Sequence, residues 1–299
     1  MIDEEKFEDL VRAIESKIRQ ELRLRCEAFT PDFRMPEVFN VLTALLARQA
    51  TLATQFSLAP QLWNWHSAPL FLRAMTDVHI TLSWILLDSK TRARQYIDHG
   101  LGQAVLELEH RKKRLESSAE HSKEEIDQII RAHEAWINTQ RWSFLVEVNV
   151  GAWSGRTTRE MAEESDILDF YNYVYTPFSQ GAHSTWYHVG RFNSAPSESP
   201  LTGQLWLPQI KDATDVWTLD LAAKYLDKSF NLFDEKALGR PPSSNIQDWI
   251  GGEIESRFLS DAAKQDRTAA SKNERKPVVE DSSNSPHSPP ADSKTNKRL

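Results

Sequence analysis

The sequence predicts an all-α fold: a single multi-helix bundle built round one buried central helix and ending in a disordered C-terminal tail. Three observations carry that expectation. Apolar residues recur at helical spacing along most of residues 1–264, and no alternating strand pattern is sustained. The third is the stretch SAPLFLRAMTDVHITLSWILL at 67–87, which is apolar on nearly every face and so belongs inside a bundle rather than on its surface. Arg73 and Asp77 stand four apart on it, so the pattern carries a charged pair into the interior. A charge there needs a partner or a polar cavity.

Phe7, Leu10, Val11, Ile14, Ile18 and Leu22 share one face of a first helix over 3–29, which Thr30-Pro31 ends. Pro36 suits the first turn of a second helix with Val41, Leu42, Leu45, Leu46, Leu52 and Phe56 as its stripe. Ser67 is placed to cap the central helix. A fourth helix runs over 90–117. Ser122 and Glu125 have capping-box spacing for a fifth, and Thr157 and Glu160 repeat it for a short sixth. Asp166 is placed to cap a long helix over 167–192, which Pro177 and Gly181 should kink or loosen. Residues 194–210 read as a loop with a short extended piece at 204–207. A helix over 213–238 follows, with Gly239 as its C-terminal cap, then a last helix near 244–263. From Gln265 onward there is no aromatic residue and Ser, Lys, Asp and Pro dominate, so 1–264 reads as the folded domain and 265–299 as the tail.

Composition narrows the function classes. A net charge of −7 speaks against a general nucleic-acid binder, though a local RNA site is compatible with it. Cys26 is the single cysteine, which excludes an internal disulfide and a cysteine-based structural zinc. The acidic, amphipathic start MIDEEKFEDL is unlike a signal peptide, and Arg73, Asp77 and His79 make the central helix a poor membrane span. The expectation is a cytoplasmic protein without metal, cofactor or membrane contact. Phosphate loops and the GxSxG elbow are missing, and Glu107 with His110 gives one copy of the Glu-x-x-His spacing where a di-iron bundle needs two.

Two polar turns remain. One is Arg73 with Asp77. The other is Ser179 with His183, on a four-residue ladder with Tyr171 and Tyr175. Facing each other, they would join a cation, a carboxylate, an imidazole and hydroxyls. That set can hold an anionic group or move a proton. It can equally form a satisfied buried network that fixes how two helices pack.

These residues also carry a resemblance. The central helix resembles the "Arg-x-x-x-Glu in an apolar helix" segment of the bacterial family known as domain of unknown function 5677. REMAEESDILDFYNYVYTPFSQGAHSTWYH resembles that family's second block, with its Y-x-x-x-S-x-x-x-H pattern. Asp77 stands where the family more often has Glu, which keeps the charge and shortens the reach. The resemblance covers 38–191 and implies an all-α cytoplasmic bacterial protein, without lending an activity. In general shape the family resembles the helical HEPN ribonucleases, which carry Arg-x(4–6)-His. Arg73 with His79 meets that spacing, as do Arg92 or Arg94 with His99 and Arg114 with His121. Six residues of helix turn through about 240°, so Arg73 and His79 point to different sides, and only a cross-helix Arg73–His183 pair could serve such a site.

Two readings follow. In the first, the chain is an interaction or regulatory protein that binds a protein partner or a second copy of itself, in a stress or phage-defence setting by analogy with the helical families. Trp63, Trp65, Trp142, Trp153 and Trp206, outside the clear stripes, motivate it, although bundle ends also use tryptophan. In the second, it is a metal-independent, HEPN-like ribonuclease or phosphotransfer enzyme acting on RNA or a nucleotide. His183 is then general acid/base, Arg73 holds phosphate, Asp77 orients, and Tyr175 and Ser179 complete the binding.

Overall fold

The computed structural model describes residues 4–117, 120–144, 154–199, 205–210 and 213–258. Within them the protein is a helical bundle with one two-stranded ribbon. Helix α1 (Glu4–Ala28) buries Leu10, Val11, Ile14 and Ile18, as its stripe predicts. Helix α2 (Pro36–Ser57) starts on Pro36, where a missing N–H costs nothing.

Helix α3 (Ala68–Leu87) is the hub, packing against α2 and against four later helices, α4, α6, α8 and α10. Leu72, Met75, Ile80, Leu82 and Ile85 are buried on it. Among the described helices α3 is the one long and apolar enough to cross a membrane; half of that window is buried against the rest of the protein, as in a core helix. Ser67 precedes α3 but does not cap it, because its backbone is already helical. Asn64 does related work one turn earlier: its Oδ1 accepts from the N–H groups of His66 and Ser67, each at 3.0 Å.

Helices α4 (Ser89–Ser117) and α5 (Glu120–Phe144) form a hairpin over a small core of Ala104, Leu108, Ile130 and Ile137. Because α5 is already helical at Glu120, the backbone of Ser122 lies inside it rather than at the expected N-cap position. The second expected box does form, before α6 (Thr158–Glu164). Thr157 Oγ1 accepts from the Glu160 N–H at 3.2 Å, and Glu160 accepts from the Thr157 N–H at 2.7 Å. Asp166 does not cap the next helix; it takes a left-handed backbone with φ of +58°, and α7 (Leu168–Phe170) starts uncapped behind it.

The long helix foreseen over 167–192 is divided. A wide π turn at Tyr171–Tyr175 joins α7 to α8 (Thr176–Ala182). There Thr176 N–H reaches the carbonyl of Tyr171, five residues back. Pro177 explains the widening, since its ring clashes with the carbonyl four residues behind and it donates nothing. Gly181 does not loosen α8; it lets α8 touch α3, for a Cβ there would stand 2.7 Å from Pro69 Cβ. The break comes at 183–185, where Ser184 has φ of +49°, and α9 (Trp186–Phe192) begins anew.

Strands β1 (Ser194–Pro196) and β2 (Trp206–Pro208) pair antiparallel, with Ser194 opposite Pro208 and Pro196 opposite Trp206. Of the extended piece expected at 204–207, Trp206 and Leu207 are strand while Gln204 lies outside the described residues, and the partner strand was not foreseen. Helix α10 (Trp217–Lys236) lies against α2 and α3, and Gly239 just beyond it takes the left-handed φ of +62° that ends it.

The C-terminal side of the bundle is tied by polar groups on α10. Asp227 accepts from the N–H groups of Ile246 and Gln247 at 2.9 and 2.8 Å, capping α11 (Ile246–Phe258) from a neighbouring helix. Fully buried Arg25 on α1 donates to Asp234 and Glu21, each at 2.7 Å, and Arg240 and Ser243 complete the ring round Asp234. Burial pushes the Asp234 carboxyl up, but Ser243, Arg240 and Arg25 together hold it below the usual carboxylate range. The chain divides into units 1–254 and 255–299; the foreseen boundary at 264/265 and the foreseen tail lie outside the described residues.

Two glycine substitutions should separate close packing from helix propensity. Gly181→Ala must push Pro69 away and should destabilise by about 1–3 kcal/mol, as overpacking does. Gly100→Ala on α4 meets nothing within 4 Å and should be neutral or stabilise by up to ~1 kcal/mol. Urea unfolding measures both, and equal effects would contradict this account of Gly181.

Candidate functional site

Three polar or aromatic centres lie around α3. In the core, His79 is fully enclosed. Its Nδ1 lies 3.1 Å from Ser229 Oγ on α10, and its ring stands edge-on to Phe170 at 4.9 Å. Ser229 Oγ donates to the Tyr225 carbonyl and accepts from Gln49 Nε2 at 3.0 Å. That network assigns the His79 proton to Nδ1, which donates to Ser229. Burial, aided by Lys228, pushes the His79 pKa down to about 3, so the imidazole is neutral. His79 is thus a core histidine turned away from Arg73, as helical rotation requires.

The second centre is the predicted one. Arg73 pairs with Asp77, and Arg73 Nη2 donates to the hydroxyl of Tyr175 across the contact between α3 and the π turn. The guanidinium carbon also stands 3.5 Å from the centroid of the Tyr175 ring, and Tyr171 stacks on Tyr175 at 4.7 Å. Burial lowers the Arg73 pKa, with Tyr175 and Tyr171 acting in the opposite sense. The pair sits at the rim rather than in the interior: the Arg73 side chain is 16% exposed and that of Asp77 44%.

The structure thus brings Arg73, Asp77 and Tyr175 together. It does not bring His183 to them. His183 ends α8 as an exposed residue, eight residues and about 12 Å of helix beyond Tyr175. Gly181, close to it, lies against Pro69 at the start of α3, one turn before Arg73. Ser179 is half-buried on the same helix, and among the described residues its backbone carbonyl accepts from the His183 N–H. The histidine on this side that is buried is His188, five residues on. It packs on Phe192 at 4.8 Å and near His66 at 6.1 Å, and burial lowers its pKa, with His66 adding to that.

The third centre is a surface groove that sequence reasoning reached only at Trp206. Helix α9 and the ribbon enclose an open cavity of about 620 Å³ lined by Trp186, Tyr187, Arg191, Pro196, Trp206 and Gln209, among others. Trp186 is 70% exposed, Tyr187 67% and Trp206 54%. Trp186 lies over Gly190, whose missing side chain leaves its indole against the helix backbone; a Cβ there would come within 3.2 Å of the ring. Trp217, Ile210 and Leu207 add exposed apolar surface in the same stretch of chain. The other tryptophans divide. Trp63 is buried and donates to the Phe56 carbonyl, while Trp65 is half-buried and donates to Asp215. The side chain of Trp142, and Trp153 as a whole, lie outside the described residues. Among the described residues no cluster of three metal-ligating side chains occurs.

Residues 39–200 match the model of a family of unknown function, DUF5677, close to the span on which the sequence resemblance rests. No curated protein and no solved structure matches the chain.

Two outcomes test the polar centres. Arg73→Ala removes a charge-assisted hydrogen bond and a cation–π contact and should cost about 1–3 kcal/mol, whereas His183→Ala should stay within ~0.5 kcal/mol. Thermal melts of both check this; an Arg73→Ala protein as stable as wild type would make Arg73 a working residue rather than a packing one. For His79, the unfolded chain binds the extra proton between pH 6.5 and about 3, so stability is full above pH 6.5 and falls as the pH drops. The stability advantage of wild type over His79→Asn should therefore shrink between pH 7 and pH 5, and a constant advantage would contradict the assignment.

Proposed function

The chain belongs to the DUF5677 family, and we propose that it is an interaction or regulatory protein that engages a macromolecular partner through the groove between α9 and the ribbon. One observation carries the reading: Trp186, Tyr187 and Trp206 are large aromatics held open to solvent around a single concavity. Burying such side chains supplies much of the binding energy at protein interfaces, and soluble proteins seldom leave several together without a use. The bundle beneath supports this as a rigid mount. Helix α9 follows α8, which Gly181 seats on α3, and Trp65, stacked on Phe192 of α9, reaches Trp217 and Asp215 at the start of α10. A cytoplasmic, bacterial, defence-related setting belongs to the same proposal and rests on family resemblance alone.

The hydrolytic alternative has less behind it. Arg73 already faces Asp77 and Tyr175, so a phosphate would compete with a carboxylate for the guanidinium, and His183 stands about 12 Å along the helix.

Trp186→Glu combined with Trp206→Glu tests the reading. Both sites are exposed, so the double variant should melt within ~0.5 kcal/mol of wild type per site. In cells it should lose the crosslinked neighbours that wild type and an Arg73→Ala control both retain. An unchanged set of neighbours would contradict the groove as the contact surface.

A further inference from the structure

We infer that α9 is an acid-released helix: a proton taken up by His188, which is wedged between α8, Phe192 and His66, frees α9 from the bundle and takes the groove apart. The release stands on the packing of α9 alone; its use as regulation rests on the reading of the groove as an interaction surface. Helix α9 has seven residues, and no side chain caps its start at Thr185. A helix that short does not hold by itself in water, where even about 12–15 residues are marginal. It therefore persists by docking, on α8 and on β1. A turn of about 100° per residue puts Trp186, Tyr187, Gly190 and Arg191 on the groove side and carries His188 and Phe192 to the other. Those two inward rings attach α9.

His188 is buried, and its imidazole lies so close on α8 that a Cβ at Gly181 would stand 3.3 Å from Cε1. Its other neighbours are rings: Phe192 at 4.8 Å and, nearly perpendicular to it, His66 at 6.1 Å. Titratable and charged groups come to this corner, among the described residues, from each element round it. The segment before α3 brings His66, α3 brings Arg73 (already engaged by Asp77 and Tyr175), and α8 ends in exposed His183. Helix α9 itself carries Tyr187 and Arg191 on its outer side, with the guanidinium 5.3 Å from the Phe192 ring, and β1 brings none. Beyond Phe192, Asp215 accepts from the Trp65 indole N–H at 2.9 Å and from the Trp217 N–H at 3.0 Å. Burial disfavours the imidazolium most and His66 adds to that; both hold the His188 pKa below the ordinary 6.5. Docked α9 thus binds a proton less readily than released α9. Docking is full above pH 6.5 and weakens as the pH falls. The chain can part there without disturbing α8, because Ser184, with φ of +49°, already separates the two helices.

Hydrogen exchange of the full chain tests this, read as protection factors so that the intrinsic effect of pH on exchange cancels. From pH 7.5 to pH 5.5, protection of the amides of 189–193 should fall by up to about tenfold for one histidine, while staying below that of the α3 interior at both pH values. His188→Phe and His188→Asn should each remove most of that fall. The first keeps a ring against Gly181 and the second a small neutral polar group, so a packing defect in one does not decide the result. His66→Asn should make the fall smaller, and His183→Asn should leave it unchanged. In the wild type, the imidazole C–H signal of His188 should titrate below pH 6.5. Protection of α9 that does not change with pH overturns the inference, as does a fall equally large in both His188 variants. A His188 that titrates at or above pH 6.5 overturns it whatever the variants do. If α9 protection ignores pH while the Trp186→Glu/Trp206→Glu protein still loses its cellular neighbours, this inference fails and the interaction reading stands. If α9 is released by acid but those neighbours persist, the release stands and the interaction reading falls.

Discussion

A helix with apolar residues on nearly every side has to be covered on nearly every side, and that requirement on α3 arranges the rest of the bundle. Helices α10, α2, α8 and α6 share most of the covering, and α4 adds to it. Each fully buried large apolar side chain contributes about 1.5–3 kcal/mol against exposure, so Leu72, Met75, Ile80, Leu82 and Ile85 together outweigh any single polar contact in the protein. Three polar groups that α3 carries into the core each have a partner. Thr76 and Ser83 return their hydroxyls to the carbonyls of Arg73 and His79, and His79 reaches Ser229. None of the three is left as a charge.

Covering α3 also sets where irregular structure falls. The chain arriving at α8 must pass Pro177 without losing its contact with α3, and the π turn achieves this by widening once, which places Tyr175 over Arg73. Gly181 then allows the close approach to Pro69, and the helix stops. Because α8 ends there, α9 can turn outward and carry Trp186 and Tyr187 to the surface instead of continuing along the bundle. In this way the same constraint separates the Arg73 centre, which ties two elements together, from the aromatic groove, which ties nothing within the described residues.

Much of this was legible from local pattern. The helical stripes, the hub role of α3, the Thr157–Glu160 capping box and the core position of His79 all follow from spacing within one or two turns. The Arg73–Asp77 pair was legible for the same reason, as was the contact of Tyr175 with it, through the four-residue ladder. What escaped depended on distant partners. Arg25 and Asp234 are 209 positions apart, and nothing near either one announces a buried ion pair. Asp166 and Ser184 take left-handed backbones although neither is glycine, so a continuous helix over 167–192 looked reasonable and hid α9. The ribbon escaped because three-residue strands carry too few alternations to show a period. Trp186 and Tyr187 were hidden with α9, since inside a long helix they would have read as packing residues.

Native-state hydrogen exchange tests the central role of α3 most directly. If the bundle depends on covering α3, its interior amides, from Leu72 to Ile85, should exchange only through global unfolding, together with those of the facing stretch of α10. Amides of α9 and the ribbon should open at lower free energy, with the hub still closed. Exchange of α3 through a partial opening, while α10 and α2 stay protected, would contradict the account.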